Sequence, residues 1–316
     1  MAAANSGRQQ TDSQQLADRA LREKLKSHGE PRDDAALLRA LDGSGAAVKV
    51  IIDATANASL AARHADWLAR GYHVVTANKA LAGGELPGWR ALQAAIAEGG
   101  RYGDSATVGA GLPVLSTLRR LRGCGDALLT LEGVFSGSLS YLFNQYDGSQ
   151  PFSALLREAR KLGYTEPDPR SDLSGEDVAR KLLIIARNAG FALGTDEVDV
   201  ESLVPEALRN VDTDTFLARL EELDEPLARR HAEAKARGGA LRFLARLNQR
   251  GKARVGLVEV PATHPAARCR SRAVSHPARI VDCSSLTPSI AADSSGRCDP
   301  PRRSAHDAQG DAPLGR

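Results

Sequence analysis

Val48-Lys49-Val50-Ile51-Ile52-Asp53-Ala54-Thr55 and His73-Val74-Val75-Thr76-Ala77-Asn78-Lys79 share one form: an apolar run of strand length that stops at polar residues. Between them, residues 59–70 carry Leu60, Trp67 and Leu68 as apolar contacts of a helix. After the Gly83-Gly84 break a second helix forms around Trp89, Leu92, Ile96 and Ala97. Strand, helix, strand and helix in that order make a βαβα unit, whose strands pair in parallel through right-handed crossovers. Lys79 then stands at a strand's carboxyl end, where open α/β sheets receive ligands. Taken alone it is more often a solvated turn lysine.

Working outward, residues 101–104 read as a short strand. Val108-Gly109-Ala110-Gly111-Leu112-Pro113 opens a helix bearing Leu115, Leu118 and Leu121, with proline well placed at its start. Residues 127–135 read as a strand and Ser136-Gly137-Ser138 as the start of a helix. Further helices are expected over 152–162, 173–189 and 216–237, the last polar and laced with charge. Residues 241–247 and 253–260 form a hairpin around Asn248-Gln249-Arg250-Gly251. The class is α/β. Residues 11–41 are helical by propensity but polar. Residues 266–316 hold no Lys or aromatic residue, and three of the four cysteines, so they cannot bury enough apolar area to offset ordering and should be disordered.

With 42% hydrophobic and 26% charged residues, the chain is that of an ordinary soluble globular protein. A net charge of +3, with acids and bases interleaved, gives no nucleic-acid face but is compatible with small phosphate-bearing ligands. No apolar run approaches the roughly 20 residues that span a bilayer, and the first ten residues lack a signal-peptide segment, so a cytoplasmic location and no membrane partner are expected. Cys124, Cys269, Cys283 and Cys298 make no CxxC pair and read as free thiols.

The richest stretch is Gly163-Tyr164-Thr165-Glu166-Pro167-Asp168-Pro169-Arg170-Ser171-Asp172-Leu173-Ser174-Gly175-Glu176-Asp177-Val178-Ala179-Arg180-Lys181. Acids crowd around two prolines and then run into an apolar helix with Asp177 and Lys181 one turn apart. Ser174 and Asp177 could be no more than a capping box, and Asp177 with Lys181 a solvated ion pair. Against that, Glu166, Asp168, Asp172 and Asp177 so close together repel one another unless a cation sits among them. A substrate ammonium and Lys181 would supply it, and a lysine held near carboxylates can pass a proton to and from a carbonyl or hydroxyl.

This stretch closely resembles the signature of homoserine dehydrogenases. Val74-Val75-Thr76-Ala77-Asn78-Lys79 is similar to that family's strand-end nicotinamide-site motif, Thr107-Val108-Gly109-Ala110-Gly111-Leu112-Pro113 to its glycine-rich turn, and Gly133-Val134-Phe135-Ser136-Gly137-Ser138-Leu139-Ser140-Tyr141-Leu142 to the start of its substrate region, in wording closest to bifunctional aspartokinase/homoserine dehydrogenases. The resemblance implies reversible reduction of L-aspartate 4-semialdehyde to L-homoserine with NADPH or NADH, in threonine and methionine biosynthesis. It implies Lys181 as general acid/base, and Asp177 and Glu166, supported by Asp172, as the groups that hold the amino acid. Lys79, Thr55, Asn78, Gly163 and Glu166 would line the cofactor. The carbonyls of Val108, Ala110 and Leu112 would hold a structural sodium ion, although the acid expected three positions before the valine is here Ser105, beside Asp104. A homo-oligomer is expected through the substrate-domain sheet.

The implied layout is a truncated Rossmann-like NAD(P)-binding domain over 1–106, a substrate domain over 107–265 and the tail. No strand, GxGxxG turn and helix open the chain, so the first βα unit is expected to be missing. Ala4-Asn5-Ser6-Gly7-Arg8 aligns with the stretch after the family's second strand, where Arg8 could meet an NADP 2′-phosphate or lie in a flexible tail. Loss of periodicity after Pro265 has two readings, a shifted reading frame or a natural disordered extension. Activity is therefore doubtful, and a catalytically inactive remnant or interaction subunit is the alternative.

Overall fold

The computed structural model describes residues 2–11, 18–109 and 111–268. At the start, β1 (Ala2–Ala4) and β2 (Arg8–Thr11) form an antiparallel hairpin. Asn5 turns it: its Oδ1 accepts the amides of Gly7 and Arg8 at 3.0 and 2.8 Å. Helix α1 (Asp18–His28), strand β3 (Glu30–Pro31) and helix α2 (Asp34–Asp42) follow, with β3 antiparallel to β2 and Asp33 capping α2. This corrects one expectation: residues 11–41 are helical only in part. Ahead of Val48, β1 leads into a turn with the single glycine Gly7. That turn reverses into a second strand, because the Asn5 side chain closes it, and no helix follows it directly.

The βαβα reading becomes a parallel sheet of β4 (Val50–Asp53), β5 (His73–Thr76) and β6 (Tyr102–Gly103), in that order. The first crossover is two helices where one was expected: α3 (Ala58–Ala61), capped by Asn57, and α4 (His64–Ala69). Helix α5 (Leu86–Ala97) lies between β5 and β6 in the chain. Trp67, Leu68, Trp89 and Leu92 are buried with Val74 on one face of the sheet. Side chains alternate along a strand, and the opposite face carries Val50, Ile52 and Val75 at 44%, 74% and 47% exposure.

The second unit runs through α6 (Val114–Gly123), β7 (Thr130–Gly133), α7 (Gly137–Gln145), α8 (Phe152–Lys161), α9 (Arg170–Leu173), α10 (Glu176–Asn188) and β8 (Val198–Val200). It continues through α11 (Thr213–Ala218), α12 (Asp224–Ala236), β9 (Gly239–Asn248), β10 (Ala253–Pro261) and α13 (Pro265–Arg268). Its sheet has the order β7-β9-β10-β8, with the β9–β10 hairpin antiparallel and β8 parallel to β10. Leu182, Leu183 and Ile184 of α10, Phe216 of α11, and Phe243 and Leu257 of the hairpin are all buried in one core.

Three boundaries differ from the sequence reading. The helix expected over 216–237 breaks, since Pro226 near the start of α12 removes an amide and would clash with a preceding helical carbonyl. The helix expected over 173–189 starts at Glu176, because Gly175 takes φ +75°. A β-carbon there would stand 2.8 Å from Phe243 Cζ, so glycine is required both for its backbone and for its size. The tail expected from 266 opens as helix α13, whose Ala266 and Ala267 carbonyls accept from Arg242 at 2.8 and 2.9 Å. The disorder expected beyond it, with Cys269, Cys283 and Cys298, lies outside the described residues. Cys124 is a free, exposed thiol.

Candidate active site

Helix α10 presents Asp177 in its first turn and Lys181 one turn on, so both side chains leave the same face. Lys181 Nζ lies 2.6 Å from Asp177 Oδ2 and donates to the Phe135 carbonyl at 2.7 Å. These contacts occupy two of an ammonium's three donors. Across from it, Lys79 at the end of β5 reaches Asp177 Oδ1 at 3.7 Å. One carboxylate therefore carries two ammonium groups, one from α10 itself and one from the turn after β5. Burial pushes the Asp177 carboxyl up, but Lys181, then Lys79 and Arg180, outweigh it and hold it below the usual range.

The capping box offered as the plain alternative for Ser174 and Asp177 is not formed. Gly175 is the N-cap and makes no side-chain cap, Ser174 Oγ accepts the Glu176 amide at 3.3 Å, and the Asp177 carboxylate goes to the lysines. Asp172 lies half-buried at the same end of the helix, accepting the Glu166 amide at 2.8 Å. Burial pushes its carboxyl up, with the nearby Asp177 charge acting in the same direction, against the Glu166 amide and Ser138. Glu166 itself is exposed. Asp168, by contrast, is drawn out of the acidic cluster: Arg170 holds it at 2.6 Å and Thr213 donates to it at 3.1 Å. The repulsion expected among four acids is thus partly relieved from within the chain.

Beneath Lys79, the strand ends are joined by a buried carboxylate that sequence reasoning passed over. Asp53, 2% exposed, accepts the amide and hydroxyl of Thr55 on Oδ1 (2.9 and 2.7 Å), and Asn78 Nδ2 and His64 Nε2 on Oδ2 (3.0 and 2.9 Å). His64 Nδ1 lies 3.0 Å from the Tyr102 hydroxyl. Burial pulls the imidazole down, so it is neutral, donating from Nε2 and accepting from Tyr102 on Nδ1. Burial alone pushes Asp53 up, but Thr55, Asn78 and His64 win and its carboxyl is held low. Asn78 also donates to the Asn57 carbonyl at 2.9 Å and accepts the Ala80 amide at 3.0 Å. Thr55 and Asn78 are therefore brought together and their turns fixed. An aspartate closing an apolar strand, with a histidine on the apolar side of the next helix, was the only signal available.

Gly163 ends α8 at φ +74° on the surface, with open space where a β-carbon would stand. Val108 is buried, the Leu112 carbonyl accepts the Val114 amide at 2.8 Å, and Ala110 lies outside the described residues. Four residues before Val108, Asp104 is 1% exposed; Arg119 meets its Oδ2 at 2.5 Å, while Oδ1 has no partner among the described residues.

Residues 113–279 match the family model described as homoserine dehydrogenase, and residues 5–102 match the one described as its NAD binding domain. The chain belongs to the homoserine dehydrogenase family. It is 44% identical over 229 residues to a bifunctional aspartokinase/homoserine dehydrogenase 2 of Zea mays, covering 71% of this chain and 25% of that protein. It is 45% identical over 219 residues to bifunctional aspartokinase/homoserine dehydrogenase 2 of Escherichia coli, covering 69% and 27%. The chain thus spans about a quarter of the length of these curated relatives. A crystal structure of a protein of unknown function from Candida auris superposes with a TM-score of 0.77 at 32% identity, covering 85% of this chain and 77% of that one.

Proposed function

We propose that this chain catalyses the homoserine dehydrogenase reaction, the reversible NAD(P)H-dependent reduction of L-aspartate 4-semialdehyde to L-homoserine. The observation that carries it is Lys181, whose Nζ is held between Asp177 and the Phe135 carbonyl on a helix that faces Lys79 at the parallel-sheet strand ends. In the reducing direction Lys181 Nζ gives its proton to the aldehyde oxygen, and in the oxidising direction it takes the hydroxyl proton. Asp177, with Glu166 and Asp172, holds the substrate ammonium, so the acids that crowd the helix start become its counter-charge.

The polar strand ends fit a nicotinamide cofactor, since Asp53 fixes Thr55 and Asn78 in place before any ligand arrives. Thr55, Asn78, Lys79, Gly163 and Glu166 would hold it, and when bound it supplies the hydride. Arg8, exposed on the N-terminal hairpin, favours NADP over NAD because its guanidinium suits a 2′-phosphate. Backbone oxygens of Val108, Ala110 and Leu112 would suit a sodium ion, with Asp104 Oδ1, partnerless among the described residues, close in the chain. Residues 1–106 then act as the nucleotide domain and 107–265 as the substrate domain, in a cytoplasmic homo-oligomer. Among the described residues no helix is long and apolar enough to cross a membrane.

A second reading, a catalytically inactive remnant or interaction subunit, is favoured by the bare sheet face at Val50, Ile52 and Val75. Parallel sheets are ordinarily covered on both faces. Homoserine oxidation with NADP+ by the purified chain separates the two: lysine-dependent turnover rejects the remnant, and no turnover with saturating substrates rejects the enzyme.

A further inference from the structure

Arg187 is 2% exposed near the end of α10, and it plays no part in the reading above. Among the described residues its hydrogen bonds go to backbone carbonyls: Nε and Nη2 donate to Leu193 at 3.1 and 2.9 Å, and Nη1 donates to Ala82 at 2.8 Å. Burial pulls its guanidinium down to about 10, with Glu85 acting in the other direction, so it is still charged at neutral pH. A buried charge satisfied by carbonyls is costly to keep, and stability is better served by an apolar side chain of similar size. What this one does is join two parts of the molecule, since Ala82 belongs to the parallel-sheet unit and α10 to the other.

A second contact lies one residue on. A β-carbon at Gly83 would stand 2.5 Å from Arg180 Cγ and 2.8 Å from the Arg180 carbonyl oxygen, so the turn touches the backbone of α10 itself. The Arg180 side chain could bend away; its carbonyl, inside a helix, could not. The turn is closed on Lys79, whose carbonyl accepts the Gly83 amide at 2.8 Å. Further along the same connection, Thr195 Oγ1 donates to Glu85 Oε1 at 2.8 Å. Lys79 thus sits at one end of a closed turn whose other end is pressed on α10 between Asp177 and Arg187.

We propose that Gly83 and Arg187 are positioning residues, seating the 79–83 turn on α10 and thereby setting the distance from Lys79 to the Asp177–Lys181 pair. The catalytic consequence rests on the dehydrogenase reading; the geometric one does not. Any group that lifts the turn moves Lys79 from the shared carboxylate while leaving Lys181, which is on the same helix as Asp177, where it is.

Competitive acylation of the lysines in the full chain, read by mass spectrometry, tests this on the wild type, Gly83→Ala, Arg187→Lys and Arg187→Met. The expected result is that Lys79 labelling rises about three- to fivefold, the scale of losing a partly exposed ion pair, in Gly83→Ala and Arg187→Met, less in Arg187→Lys, with Lys181 unchanged. Unchanged Lys79 labelling in folded variants overturns the proposal, as does a rise shared equally with Lys181, Lys235 and Lys252, which would mean general loosening. If Arg187→Met does not fold, Gly83→Ala and Arg187→Lys decide. In homoserine oxidation, Gly83→Ala should lower kcat more than it alters the cofactor KM. An inactive wild type would count against the dehydrogenase reading alone, because the labelling comparison stands without turnover.

Discussion

Lys79 and Lys181 meet on one carboxylate although one stands in the turn after a strand of the parallel sheet and the other on helix α10, at 3.7 and 2.6 Å from the two oxygens of Asp177. The i,i+4 spacing on α10 accounts for the shorter contact. The longer one depends on how the two units are seated.

Removing the shared carboxylate affects both ammonium groups. Asp177→Asn should raise the KM for homoserine and lower kcat/KM by about 10- to 100-fold, since a hydrogen bond to a charged group is worth about 1.5–3 kcal/mol. Steady-state kinetics with homoserine and NADP+ varied in turn measures it. A change in the NADP+ KM alone would place Asp177 elsewhere in the mechanism.

The turn before α10 is equally exposed to a small change. Gly175→Ala combines a left-handed backbone with a β-carbon against Phe243 and should cost about 1–3 kcal/mol of stability, together with activity, because the helix start carries Asp177. Denaturant titration of the variant beside the wild type gives the number.

The buried pair of Asp53 and His64 sets a pH dependence. Burial lowers the His64 pKa in the folded protein, so below about pH 6.5 the unfolded chain binds a proton there that the folded one does not. Asp53, also lowered, acts in the same direction at more acid pH. Stability therefore falls on acidification, and His64→Gln should flatten the melting temperature against pH as it drops below about 6.5. His231, lowered first by burial, contributes to the slope in both proteins, so the comparison is of slopes. Identical slopes would show that His64 is not held neutral.

The open sheet face predicts behaviour in concentrated solution. Ile52 is 74% exposed, so Ile52→Lys should change stability by no more than about 0.5 kcal/mol while raising the concentration at which the protein self-associates. Light scattering and thermal melts follow the two effects. A loss of several kcal/mol would mean that the face is covered.

Much of this site could be read along the chain because its signals are local. Two apolar runs ending at Thr55 and Lys79 gave the parallel strands, and Asp177 and Lys181 lie one turn apart on an apolar helix. What stayed hidden depends on distant segments. Asp53, His64 and Tyr102 come from a strand end, a helix and another strand, and only folding brings them within hydrogen-bond distance. Arg187 reads as the polar side of an amphipathic helix until the Ala82 and Leu193 carbonyls close around it. The Ala2–Ala4 strand has no β-forming residue and takes its conformation from pairing with Arg8–Thr11. The capping box failed because a left-handed glycine stands between Ser174 and the helix.

The central claim is that Lys181 moves the proton, and the most direct measurement is NADP+-dependent oxidation of L-homoserine by the purified chain and by Lys181→Met. Turnover by the wild type, with kcat reduced about 10²- to 10⁴-fold in a variant that binds NADPH as before, is the result expected of a lost general acid/base. Wild-type turnover that survives Lys181→Met undiminished would contradict it.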